Sequence, residues 1–119
     1  MDGIRVYREN AILTGTPGKL VVLLYEGAIG SLRKAVAALE AKDYATKGSC
    51  ICKAQDILDE LNMTLNMEVG GEVAANLRKL YLFMRKHLTD AGLTKDPQKI
   101  QQVIALLEDL LQGWRAVAE

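Results

Sequence analysis

His87 is the only histidine in a chain of 119 residues, and it follows Arg85 and Lys86. A single imidazole on a helix raises a phosphotransfer relay. Its neighbours argue otherwise, because a basic turn near a helix end is favoured by the C-terminal dipole without any chemistry. A metal site of the ferritin-like kind needs a Glu three residues before the His, and Met84 stands there. Cys50 and Cys52 are the two cysteines. Residues two apart on a helix point to different faces, so neither a disulfide nor a metal pair is expected, and both read as reduced thiols of a cytosolic protein. Gly70-Gly71 lacks the spacing of a phosphate loop. No acid, base and nucleophile can be assembled. The expectation is a non-enzyme without catalytic, cofactor-binding or metal-binding residues.

With no reactive group to serve, the elements themselves carry the argument. Lys plus Arg and Asp plus Glu each number 15, giving zero net charge, and half the residues are hydrophobic. Zero net charge argues against nucleic acid and against anionic membrane surfaces, both of which reward a basic excess. The first long apolar run, from Leu20, is broken by Glu26. A spanning helix needs about 20 apolar residues, so no membrane insertion is expected, and nothing before Leu20 has the apolar run of a targeting signal.

Helix punctuation is dense. Thr16-Pro17 offers an N-cap hydroxyl and a proline at the first helical position, and Asp96-Pro97 repeats the device. Asp43 can cap a second helix, Gly70-Gly71 divides the second from the third, and Gly92 can close the third. These signals predict helices over 17–41, 44–68, 72–91 and 97–117. Apolar residues recur in steps of three and four. The first helix shows Leu24, Ala28, Leu32, Ala35 and Leu39, and the second Ile51, Ala54, Leu58, Leu61 and Leu65. The third shows Val73, Leu77, Leu80, Met84 and Leu88, and the fourth Ile100, Val103, Leu107, Leu110, Trp114 and Val117. The predicted fold is all-α, an antiparallel up-down-up-down four-helix bundle over 16–119 with an N-terminal arm over 1–15. The arm carries Ile4, Val6, Tyr7, Ile12 and Leu13 and is expected to pack on the bundle.

Two stretches hold more apolar surface than one buried stripe uses. On the first helix, Val22 and Leu23 fall roughly 130° to either side of the Leu24–Ala28–Leu32 direction, and Ile29 roughly 110° away. On the third helix, "LYLFM" is apolar around the circumference, with Leu82 opposite the seam. Clusters of this kind suit a groove for a partner helix or extended peptide.

The chain also resembles a known family. "TGTPGKLVVLLYEGAI", "KGSCICKAQDILDELNMTLNME", "GGEVAANLRKLYLFM" and "LLEDLLQGW" occur in that order, preceded by Tyr7 and Asn10. Together they resemble the flagellar export chaperone family FliS, over nearly the whole length. The most specific element runs from Gly71 through Tyr81. Leu82-Phe83, Gly18 and Val69 depart from the family's pattern. The resemblance implies a cytoplasmic helical bundle that binds the disordered C-terminal segment of flagellin, prevents premature polymerisation and presents the cargo to the flagellar export apparatus. It also implies an arm that covers part of the site in the absence of cargo.

On that basis the residues expected to contact the partner are Tyr7 and Ile12 from the arm and Leu23, Tyr25 and Ile29 from the first helix. Leu80, Tyr81, Leu82 and Phe83 join them from the third, with Glu72 and Asn76 as hydrogen-bonding groups. Leu58, Leu65, Leu107 and Trp114 are expected in the core. The competing expectation is a self-associating structural or adaptor bundle, in which the surplus apolar surface makes a homodimer.

Overall fold

A computed structural model describes residues 16–117. The arm, with Tyr7 and Ile12, lies outside the described residues. Four helices follow one another: α1 (Gly18–Glu40), α2 (Tyr44–Thr64), α3 (Met67–Gly92) and α4 (Gln98–Val117). They are joined by short connections, and each packs on two neighbours in the cyclic order α1, α2, α3, α4. This is the up-down-up-down bundle that the periodicity predicts. The α1–α2 pair is the most intimate, and the α3–α4 pair the loosest. Small buried residues explain the first: Ala28, Ala35 and Ala38 on α1, and Ala54 on α2, keep the two axes close.

The helix ends follow from local chemistry. Asp43 accepts from the Thr46 amide at 3.2 Å and from its hydroxyl at 2.6 Å, which caps α2. The same two bonds hold the Asp43 carboxyl below its usual range. Asp96 accepts from the Gln98 amide at 2.9 Å ahead of α4. The sequence offers Thr16 as the cap of α1, but Pro17 occupies that position with extended ψ and has no side-chain cap of its own to give. The Pro17 carbonyl itself receives the Leu20 and Val21 amides, so the proline sits one place earlier than a first-turn proline would.

The α2–α3 junction also differs from the sequence reading. α2 ends at Thr64, not near 68, because Asn66 caps a new turn by accepting from the Val69 amide at 3.1 Å. That turn is broken from the rest of α3 at Gly71, whose φ of 54° and ψ of −130° are open only to glycine. α1 closes differently again. Lys42 takes φ 60°, its amide bonds Leu39 O, and the Asp43 amide bonds Ala38 O at 2.8 Å. This is a Schellman closure with lysine where glycine is usual.

The core lies where all four helices converge. α2 buries the stripe read from its sequence: Ile51, Ala54, Leu58, Leu61 and Leu65. α4 buries Ile100, Val103, Leu107 and Trp114 as read, with Leu111 in place of Leu110. α3 is rotated from the expected seam. It buries Ala74, Leu77, Tyr81, Met84 and Leu88 and leaves Val73 exposed and Leu80 half-buried. α1 likewise turns inward on Val21, Tyr25, Ala28, Ile29 and Leu32, with Leu24 half-buried.

Candidate functional site

Three residues expected at a binding surface are inside instead. Tyr25 is 0% exposed, Tyr81 2% and Ile29 4%. For the two tyrosines the reason is a polar contact that apolar patterning misses. The Tyr25 and Tyr81 hydroxyls are 2.7 Å apart, so each buried phenol finds its partner in the other. Trp114 packs against Tyr25 with centroids 6.2 Å apart. In the folded bundle these groups hold α1, α3 and α4 together and present no surface.

The other expected residues on the described helices are accessible, and they divide between edges. Leu82 and Phe83, each about half exposed, lie roughly 100° apart on α3. Lys79 and Lys86, both exposed, occupy the ridge between them. "LYLFM" is therefore not one patch. Leu82 sits toward α2, near the side where Arg85 bonds Asp59 at 2.8 Å and Arg78 bonds Asn62 at 3.1 Å. Phe83 sits toward α4, stacked on His87 with centroids 5.1 Å apart.

Glu72, Asn76, Leu80 and Phe83 fall together along the α3–α4 edge. Among the described residues, two polar cross-links join these helices. They are His87 to Gln102 at 2.6 Å and Lys99 to Asp90 at 3.6 Å, both near the connecting loop. From Phe83 toward the N-terminus of α3 this edge is apolar by helical position. Half-buried Leu80 on α3 and half-buried Leu106, Leu110 and Val117 on α4 fall on the sides these helices turn to each other and pack on the core, and Val73 remains exposed. Phe83 stands toward one end of the edge and the polar side chains of Asn76 and Glu72 toward the other. His87 is accounted for by the Phe83 stack and the Gln102 bond. The described residues hold no cluster of three or more His, Cys, Asp or Glu able to bind a metal ion.

α4 has a second open flank, toward α1. There Arg115 bonds Glu26 at 2.7 Å and Arg33 pairs with Glu108, as antiparallel register requires. Between and beyond these pairs lie hollows lined by Val22, Leu23, Ile29, Gly30, Leu111 and Gln112. Leu23 is 61% exposed here. The flank is polar as well as apolar, since Lys19, Glu26, Arg33, Glu108, Gln112 and Arg115 line its hollows beside the apolar groups. The sequence reading names Leu23 and Ile29 but misses Gly30, Leu111 and Arg115, the last because its pairing with Glu26, 89 positions away, leaves no local signal. No helix of the described residues is long and apolar enough to cross a membrane.

Comparison with known proteins identifies the family. A family model described as Flagellar protein FliS matches residues 2–119. The flagellar secretion chaperone FliS of Salmonella typhimurium is 36% identical, over 98% of this chain and 90% of its own length. Those of Vibrio cholerae and Bacillus subtilis are 34% and 33% identical, each over 92% of this chain and about four-fifths of their own. A bundle with a tyrosine-locked core and two open flanks beside its last helix, matched over essentially its whole length, belongs to the FliS family.

Proposed function

We propose that this protein is a cytoplasmic export chaperone that binds the disordered C-terminal segment of flagellin, prevents its premature polymerisation and delivers it to the flagellar export apparatus. The observation that carries the reading is the placement of large apolar side chains. Leu20, Leu23, Val73, Leu82 and Phe83 stay exposed after four helices have closed their core, and most of them border the two flanks of α4. A folded monomer gains nothing from such residues, but a segment that folds on binding does. Such a segment buries about 1,000–3,000 Å² and loses several kcal/mol to ordering, which favours shallow contacts spread over several helices and permits release. The arm, with Tyr7 and Ile12, is proposed to cover part of this surface when no cargo is bound. The names of the relatives support the chaperone role.

The test is a binding measurement with full-length flagellin and with flagellin lacking its C-terminal segment, alongside sedimentation of the protein alone. Binding that requires the segment supports the reading. A stable homodimer indifferent to either flagellin would replace it with the self-association alternative.

A further inference from the structure

α3 is patterned in sequence as one helix, but its backbone is broken. Met67, Gly70, Ala74, Leu77, Tyr81 and Met84 follow one another in steps of three and four. From Ala74 onward these residues are buried, and Met67 packs against the same core. A second row, Val69, Val73, Asn76, Leu80 and Phe83, keeps the same alternation along the edge toward α4. Steps of three and four hold residues on one face only while the helix is unbroken. Both rows run through Gly71, where φ of 54° and ψ of −130° interrupt the helix.

The interruption sets off a self-contained unit. Asn66 caps the Met67–Gly70 turn by accepting from the Val69 amide at 3.1 Å, and its carbonyl accepts from the Gly70 amide at 2.8 Å. Neither bond reaches Gly71, so both survive whichever conformation that residue takes. Glycine moves between the two regions of backbone space without a Cβ penalty. A Cβ there would meet nothing within 4 Å, so no packed neighbour fixes the residue. The connection from α2 through Leu65 and Asn66 is of a length that joins antiparallel helices, so a straight α3 can still be reached. With Gly71 helical, Val69 falls one step of four before Val73 on the α4 edge and lengthens it by about 6 Å.

We infer that Gly71 is a hinge, about which the capped Met67–Gly70 turn exchanges between the broken arrangement and one in which α3 is continuous from Met67. The continuous arrangement extends the apolar edge of α3 by Val69, which the broken one leaves 60% exposed and out of line. Anything apolar that fills this edge beyond Val73 draws the chain toward the continuous form, because only that form presents Val69 in register. The device goes beyond the chaperone reading and is tested on the chain alone, so either can fail without the other.

The experiment is NMR on the full chain, reading backbone carbon shifts and relaxation dispersion over residues 66–74. The parent is expected to show microsecond-to-millisecond exchange confined to the residues around Gly71, with minor-state shifts that are helical through 71. Gly71→Ala removes the broken arrangement, because alanine does not adopt that backbone conformation. It is expected to give helical shifts from 67 to 74 and loss of the dispersion. Gly70→Ala is the control: Gly70 is helical on both sides of the exchange, so the dispersion is expected to persist. A parent without dispersion at these residues overturns the inference and needs no variant to fold. A minor state that is not helical at 71 overturns it as well. So does a folded Gly71→Ala that keeps non-helical shifts between 69 and 73, since its surroundings and not the glycine then hold the turn out of line. Dispersion lost equally in Gly70→Ala also overturns it. Should Gly71→Ala not fold, the minor-state shifts of the parent decide.

Discussion

The hydroxyl oxygens of Tyr25 and Tyr81 meet 2.7 Å apart in the centre of the bundle, joining α1 to α3 across 56 positions of sequence. The rings meet edge to face with centroids 6.4 Å apart, an arrangement that favours aromatic pairs. Trp114 on α4 packs on the Tyr25 ring with centroids 6.2 Å apart. The two hydroxyls are thus each other's partner inside an aromatic cluster drawn from three helices.

A shared bond predicts coupled costs. Removing either hydroxyl leaves the other without this partner, and each orphaned buried group costs about 1–3 kcal/mol. Urea unfolding is expected to show Tyr25→Phe and Tyr81→Phe as destabilising, with the double variant losing less than the sum of the two. Strictly additive losses would show that the phenols do not share a bond.

The same burial sets the alkaline limit of stability. Desolvation raises both phenols above their ordinary value of 10.0, Tyr81 well beyond it. In the unfolded chain both ionise near that value, so above it the unfolded state has released protons that the folded state keeps. The stabilisation is complete below pH 10 and is lost as pH rises beyond it, by at most about 1.4 kcal/mol per pH unit for each phenol. Urea midpoints are expected to fall above pH 10, and less steeply in the Tyr25→Phe/Tyr81→Phe variant.

These tyrosines also mark where patterning stopped being informative. α2 could be read because Ile51, Ala54, Leu58, Leu61 and Leu65 have few apolar neighbours competing for the inward direction. α3 offered Leu80 beside Tyr81 and Val73 beside Ala74, and the more apolar choice was wrong in both cases. Tyr81 goes inward because Tyr25 meets its hydroxyl, a fact set by packing 56 residues away. The apolar excess at Leu23, Leu82 and Phe83 was legible because nothing local buries it. The pairing of Glu26 with Arg115 depends on the antiparallel approach of the first and last helices, and no local spacing encodes that.

Lys42 should be improved by losing its side chain. Its φ of 60° lies in the left-handed region, where a non-glycine residue is penalised by about 1–2 kcal/mol. The two amides of the closure bond Leu39 O and Ala38 O through backbone alone. Lys42→Gly is therefore expected to stabilise the bundle by about 0.5–1 kcal/mol. A lower melting temperature would mean that the lysine side chain contributes something the closure geometry does not show.

Gly71 should behave in the opposite way. Its φ of 54° and ψ of −130° exclude a Cβ on backbone grounds, although the space around it is open. Gly71→Ala is expected to cost about 1–3 kcal/mol, or to be accommodated by extending α3 through the break and moving the Met67–Gly70 turn. Amide exchange distinguishes these outcomes, because continuous helix would newly protect the residues just after 71.

Lys47 provides the sharpest separation of charge from packing. It is 5% exposed, and its Nζ donates to Thr94 O at 2.8 Å and more weakly to Gly92 O at 3.4 Å. Those carbonyls lie at and just beyond the C-terminal end of α3, where a cation opposes the helix dipole and fills acceptors that the helix cannot. The ammonium also lies 5.7 Å from the Tyr44 ring, on which Lys95 sits at 5.2 Å. Lys47→Met keeps the apolar stem and removes the donors, so any loss belongs to the cap. The expected cost is about 1–3 kcal/mol, with faster amide exchange in the last turn of α3 and little change at its centre. Lys47→Arg is expected to recover part of the loss. If Lys47→Met unfolds at the same urea concentration as the parent, the α3 terminus is held by the following loop and the lysine is merely packed against it.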